Sequence, residues 1–279
     1  MLWICWLQGI DNAPPIVRGC VDRWKKANPE WDVRIISMAD VESYSDILSR
    51  FDLSRRRITP ASFSDILRVD LLYRHGGIWA DATSYCNTPL DDWIVPVMSA
   101  GFFAFKSPAP NRPLSSWFIA SEQENLLITD LARRVESYWE KRISADEYFW
   151  FHGLFRNMLR KNPRAAELWQ NVPELSAKEA HSFERLMNLP TRRAPPNLDL
   201  SSPVLKLSHK IPSLRPDALV GHLLGIGDPR PVESSISAGI HPSLNLLANP
   251  SELPFGARRP RGNRTNGPSM SASTAPEPP

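Results

Sequence analysis

Asp65, Arg68 and Asp81 sit in one short block, SDILRVDLLYRHGGIWADAT, and their types and spacing suit the holding of a polar, anionic ligand. Asp65 and Arg68 are three positions apart, so on a helix they share a face. A carboxylate there accepts from ligand hydroxyls, while a guanidinium donates through a planar fork. Asp81 follows the apolar run Ile78 to Ala80, which is entered through Gly76-Gly77. An acid ending a buried strand stands where ligands of open α/β sheets bind, beyond the carboxyl ends of the strands. Gln8, after the first apolar run, falls at the same edge. The same residue types also make ordinary surface ion pairs and turn acids, so their placement has to decide.

The elements that would place them read as alternating strands and helices. Leu2 to Leu7 is a first apolar strand. After Pro14-Pro15, the residues Ile16, Val17, Cys20, Val21 and Trp24 recur at helical spacing. Trp31 to Ile36 predicts a second strand, and a weaker helix follows from about Val41 to Arg50. The next helix begins with Ser62 and Asp65 as an [ST]-x-x-[DE] start, and Gly76-Gly77 ends it. Further strands are expected at Gly101 to Phe105, Ser116 to Ser121 and Val204 to Ser208. Helices are expected at Glu124 to Lys141, Glu147 to Arg160 and Ser176 to Leu189. The expected fold is α/β, a mostly parallel sheet of Rossmann type flanked by helices, with a helical C-terminal half. One domain is expected over residues 1–227. From Asp228 to Pro279 the Pro, Ser, Gly and Asn content predicts a disordered tail.

Composition narrows the function classes. The chain of 279 residues is 42% hydrophobic and 23% charged, ordinary values for a globular protein. Its formal charge of +3 belongs to the tail, where Arg258, Arg259, Arg261 and Arg264 cluster, and the rest of the chain is balanced. No basic face for nucleic acid is therefore expected. The tail arginines could still hold the protein near anionic lipid. No run approaches the ~18 apolar residues of a membrane span, and MLWICWL lacks the flanks of a signal peptide. Cys5, Cys20 and Cys86 show no CxxC spacing and read as small buried hydrophobes of a reducing compartment. The expected location is cytoplasmic, including the inner face of the membrane.

In this order, Ser64, Asp65, Arg68, Leu72, Tyr73, Gly76, Gly77 and Asp81 form the pattern Ser-Asp-x-x-Arg, Leu-Tyr, Gly-Gly-x-x-x-Asp. The block resembles the glycosyltransferases with a DxD-containing sugar-binding region, in particular the capsular polysaccharide synthesis proteins, and more distantly the glucosylating bacterial toxins. CWLQG (Cys5 to Gly9), FWFHGLF (Phe149 to Phe155) and KLSHK (Lys206 to Lys210) extend the likeness from about Leu2 to Lys210. The resemblance implies a GT-A fold and transfer of a hexose, with retention, from a nucleotide-sugar donor to a glycan or lipid-linked saccharide hydroxyl in capsular or other surface polysaccharide synthesis. It implies that Trp6 stacks on the base, with Gln8, Ser64 and Lys210 lining the donor site. Asp65 and Arg68 would hold sugar hydroxyls, and Asp81 would bind ribose and face a metal.

Thr83 is the departure from that pattern. In a DxD motif the second acid ligates Mn²⁺ or Mg²⁺, and a neutral hydroxyl is a weaker partner for a hard dication. Either Asp81, Thr83 and a late group such as His209 share the metal, or cations such as Lys210 and Arg68 do part of its work. Asp146 and His152 are assigned to the acceptor side or to structure. A missing second acid also suits a domain that binds nucleotide or glycan without turnover. A nucleotidyltransferase would need a Gly-rich, basic loop after the first strand, where this chain has QGIDNAPP.

Overall fold

The computed structural model describes residues 1–51, 55–211 and 215–226. The expected tail, its four arginines and the domain boundary at 227 lie outside the described residues. In chain order the elements are β1 (Leu2–Cys5), α1 (Pro15–Ala27), β2 (Val33–Ile36), α2 (Ile47–Arg50), α3 (Pro60–His75) and β3 (Gly77–Ala80). Then come β4 (Ser84–Cys86), α4 (Ile94–Val97), β5 (Phe102–Ala109), β6 (Arg112–Ser121) and α5 (Leu126–Glu140). The last are α6 (Trp150–Lys161), α7 (Pro163–Asn171), α8 (Ala177–Ala180), β7 (Val204–Lys206) and α9 (Leu219–Leu224).

The central sheet has the order β2-β1-β3-β6-β5. β1 runs parallel to β2 and β3, β6 runs against β3, and β5 runs against β6. Four of its five strands therefore point the same way, and the mainly parallel α/β sheet expected from the sequence is present. Parallel strands buried on two faces require near-continuous apolar runs, and LWIC and IWA supply them. The core is rich in tryptophan, with Trp3, Trp24, Trp79, Trp93 and Trp139 fully buried. A buried indole usually finds a partner for its N–H, and here Trp3 and Trp24 do while Trp93 and Trp139 have none among the described residues. Trp3 Nε1 donates to the Gly76 carbonyl at 3.0 Å and Trp24 Nε1 to the Ser84 carbonyl at 2.8 Å, so the first ties β1 to the start of β3 and the second ties α1 to β4.

A smaller second core joins Ile16 and Cys20 of α1 to Tyr85, Phe183, Met187, Leu205, Leu207, Leu219 and Val220. It fixes the two-stranded sheet β4-β7 beside the main one. Neither β4 nor this pairing was anticipated, because three residues are too few to show alternation.

Three local expectations are corrected. The start of α3 is Thr59, whose Oγ1 accepts from Ser62 N at 3.1 Å, and not Ser62 with Asp65. Asp65 is thereby spared capping work. The helix expected over Val41 to Arg50 divides into a 3₁₀ segment, Met38–Ser43, and α2. Of the helix expected over Ser176 to Leu189 only α8 is α-helical, and Ser182, Glu184, Leu186 and Leu189 continue as successive i→i−3 turns that bury Phe183 and Met187.

The glycine pair between α3 and β3 has φ of 63° at Gly76 and 97° at Gly77, values that L side chains rarely adopt. A Cβ at Gly77 would lie 2.8 Å from the Met1 carbonyl oxygen, and β1 cannot yield without breaking its pairing with β3. Gly77→Ala is expected to destabilise the fold by more than about 2 kcal/mol, measured as a lowered denaturation midpoint.

Candidate active site

A single cavity of about 1040 Å³ is lined by Trp6, Gln8, Ser64, Asp65, Arg68, Asp81, Thr83, Asp146, His152, His209 and Lys210. Every site residue expected from the sequence is brought to it. The floor is built by the helix and strand of the opening block. Arg68, 3% exposed, pairs through Nη1 with Asp65 Oδ1 and through Nη2 with Asp81 Oδ1 at 3.0 Å. Its guanidinium lies over the Trp79 ring, 5.1 Å from the centroid, with Phe151 at 5.7 Å. Buried faces of two rings and two acids therefore fix the fork before any ligand arrives. On the far side of α3, Asp70 is buried among Ser45, Arg50 and Arg74, which locks the helix against rotation.

Asp81 leaves β3 at a turn in which Ser84 N donates to Asp81 O at 2.8 Å, so Asp81 and Thr83 stand side by side. Asp81 Oδ1 also accepts from Trp79 Nε1 at 3.0 Å. The residue facing the pair is Lys206, which was not singled out from the sequence. Its Nζ donates to Thr83 Oγ1 at 2.5 Å and to Asp81 Oδ2 at 3.3 Å. The signal available was the alternation in VLKLSHK, where Leu205 and Leu207 are buried in the second core and Lys206 must face the other way. His181 and Glu184 were also missed. They line the same cavity, joined Nδ1 to Oε2 at 2.9 Å, and His181 packs edge-on to Trp117.

Burial pushes the Asp65 carboxyl up to about 6, with the neighbouring Asp81 charge adding to it and Arg68 opposing. Burial acts on Asp81 as well, but Lys206, Arg68 and the Trp79 N–H outweigh it and hold that carboxyl below its usual range. Two adjacent acids are thus driven apart, a pattern typical of functional sites. Burial, with Arg68 and Arg112, lowers His152 to about 4, so its ring is neutral at ordinary pH. Its buried Nδ1 has no partner among the described residues. Burial, Lys210 and Lys206 lower His209, which packs edge-on to Trp6 at 5.2 Å. Cys5 also lines the cavity, but burial raises its thiol to about 12, which makes it an inert neutral wall.

The remaining expected residues are placed as follows. Trp6 is half-buried on the cavity wall, its carbonyl accepting from Gly9 N at 2.9 Å and its Nε1 without a partner among the described residues. Gln8 and Lys210 are exposed. Ser64 Oγ is 3.5 Å from Arg68 Nη2. Asp146 is paired with Arg142 at 2.7 Å, and its backbone N–H donates to Tyr138 Oη. It therefore meets the cavity as a committed rim residue and not as a free acid.

The residues present do not fit a divalent cation. Among the described residues no three His, Cys, Asp or Glu side chains group as ligands, and both oxygens of Asp81 already accept from cationic groups. Arg68 and Lys206 both stand on Asp81, so a dication placed on that carboxylate meets two cations already there. Each unit charge about 4 Å away contributes roughly 4 kcal/mol at an effective dielectric of 20, and a dication doubles the opposition of Arg68 and Lys206.

The sequence pattern of a family described as capsular polysaccharide synthesis protein matches residues 1–222, a span that contains every residue lining the cavity. O-glycosyltransferase braB of Annulohypoxylon truncatum is 26% identical over 222 residues, covering 67% of this chain and 51% of that protein. Glycosyltransferase afumC of Aspergillus fumigatus is 25% identical over 224 residues, covering 72% and 48%. The chain spans about half the length of these curated relatives. A solved structure named PaToxG Glycosyltransferase aligns with a TM-score of 0.42 at 15% identity over 61% of this chain and 72% of that one, a likeness too slight to carry an argument. Among the described residues no helix is long and apolar enough to cross a membrane.

Proposed function

The chain belongs to the capsular polysaccharide synthesis protein family, and on that premise we propose that it is a glycosyltransferase that moves a hexose from a nucleotide-sugar donor to a hydroxyl acceptor. The observation that carries this reading is the Asp65–Arg68–Asp81 cluster on the floor of a large cavity walled by Trp6. The fork of Arg68 and the free lone pairs of Asp65 suit sugar hydroxyls, and Asp81 suits a ribose diol. The Trp6 ring, on the cavity wall, suits a nucleobase face. His152, being neutral, suits hydrogen bonding to the acceptor sugar better than charge pairing with it. Retention of configuration, a capsular or other surface glycan as product, and contact of the basic tail with lipid all belong to this proposal. The names of the two curated relatives favour activity over mere binding, and that of braB favours an oxygen acceptor.

A thermal-shift screen with UDP-, GDP- and other nucleotide sugars, followed by measurement of released nucleoside diphosphate, tests the reading. One donor is expected to raise the midpoint by mass action and to be turned over. Trp6→Ala is expected to weaken that donor roughly tenfold, about 1–3 kcal/mol of stacking, chiefly in KM. Neither shift nor release with any donor would refute the proposal. A shift without release or transfer would support instead a binding domain of glycosyltransferase fold.

A further inference from the structure

Thr83 takes the position at which a second acid would make a metal site, and Lys206 supplies what the position then lacks. We infer that the Lys206 ammonium, held on Asp81 and Thr83, is the built-in counter-ion of the donor diphosphate at a site whose residues do not fit a divalent cation. The inference rests on the nucleotide-sugar reading of this cavity and specifies how the diphosphate is held.

Three observations carry it. The first is geometric. Nζ of Lys206 is within hydrogen-bond reach of Thr83 Oγ1, at 2.5 Å, and of Asp81 Oδ2, at 3.3 Å. It touches the first and third residues of the Asp81-Ala82-Thr83 turn, the two positions from which a DxD motif reaches its ion.

The second is that this placement is enforced. β4 and β7 pair Ser84 with Lys206, Leu207 N donates to Thr83 O at 2.8 Å, and Leu205 and Leu207 are buried on the opposite face. The side chain is 16% exposed, so it has little room to swing into solvent.

The third is stoichiometric. One carboxylate and one hydroxyl match a monovalent ammonium in charge, and both oxygens of that carboxylate already accept from cationic groups, Arg68 on one and Lys206 on the other. An ammonium has three N–H donors, and Thr83 and Asp81 take two. The third is left for an anionic oxygen in the cavity. The side chains around it are compatible with that task. Arg68 shares Asp81 from the other side, Glu184 and His209 line the same wall, and Thr83 is itself buried. The deciding feature is therefore not the loss of an acid but its replacement by a hydroxyl that accepts from lysine.

The test uses the full chain, with UDP and GDP as probes. Binding is measured by calorimetry in EDTA and again in excess Mn²⁺, for wild type, Lys206→Met and Lys206→Arg. Wild-type affinity for the nucleotide that binds is expected to agree within about twofold between the two conditions. Lys206→Met is expected to lose about tenfold in each, a fold-change of the size carried by one charge-assisted contact, while Lys206→Arg keeps most of the affinity. Wild-type affinity that collapses in EDTA would overturn the inference, and that comparison needs no variant to fold. Independently, Mn²⁺ titrated into nucleotide-free protein is followed by electron paramagnetic resonance. The inference requires the free-ion signal to keep its full intensity with wild type, and an intensity loss abolished by Asp81→Ala would sink it. If neither UDP nor GDP nor any nucleotide sugar binds in either condition, the donor reading fails, while the resonance measurement still decides whether the site takes a metal.

Discussion

Asp81→Ala is expected to abolish donor turnover, lowering nucleoside diphosphate release by roughly 10²–10³ or more, the cost of removing a pre-organised polar group from a site of developing charge. Among the described residues the carboxylate is the one acceptor shared by Arg68, Trp79 and Lys206, which reach it at 3.0, 3.0 and 3.3 Å. Without it two cations face each other across the turn, and neither Arg68 nor Lys206 keeps its aim. Asp81→Asn separates charge from shape. The amide is nearly isosteric but has a single acceptor oxygen, and its NH₂ must point at Arg68 or Lys206, which are donors already. The asparagine variant is therefore expected to be almost as inactive as the alanine one. Release rates equal to wild type in Asp81→Ala would remove Asp81 from the mechanism.

Arg68→Ala is expected to carry the largest stability cost of any single substitution in the site, about 3–5 kcal/mol, because it strips the buried Asp65 of its cation and takes one of two cations from Asp81. For a chain of this size that is a fall in denaturation midpoint on the order of 10 °C. The loss should depend on pH in a definite direction. Burial raises the Asp65 carboxyl to about 6 even with Arg68 present. The folded chain thus keeps that proton to higher pH than the unfolded chain, and the associated stability is complete below about pH 4 and lost as pH rises through 6. Removing Arg68 takes away the group that opposes the rise and extends the window upward. The deficit relative to wild type should be greatest near neutral pH and shrink as the solution is acidified. A deficit unchanged between neutral and acidic pH would mean that lost packing against Trp79 and Phe151, not uncompensated charge, is what the substitution costs. Arg68→Lys keeps one charge without the fork or the flat stacking surface, so it should recover much of the stability and little of the activity.

The parts of this molecule that were legible in sequence are those in which neighbours in space are also neighbours along the chain. Asp65 and Arg68 needed only a helix to share a face, and a four-residue strand opening on the second glycine of a pair was enough to return Asp81 to them. The apolar runs of β1 and β3, and the helical spacing in α1, were readable for the same reason. The elements that escaped are short or irregular. β4 has three residues, and the turns after α8 bury Phe183 and Met187 without forming the α-helix that their spacing suggests. The cap of α3 was assigned to Ser62 because its [ST]-x-x-[DE] spacing is a valid start, but Thr59 lies one turn earlier, beside Pro60 at the first helical position.

The sequence by itself determined the acid–base–acid device, its delivery to one edge of a mainly parallel sheet, and the presence of Thr83 where an acid would be expected. It left open what stands opposite that threonine, and it pointed to Lys210, Arg68 and His209. The tertiary structure decided in favour of Lys206. Asp81 and Lys206 are 125 residues apart, the one following β3 of the main sheet and the other in β7 of the small one. Their meeting depends on the β4–β7 pairing and on a second core shared with α1, and no local period encodes either. The physical reason is one of range: helix and strand propensities act over a few residues, whereas the position of an ammonium on a carboxylate is set by the packing of segments that meet only in the folded chain.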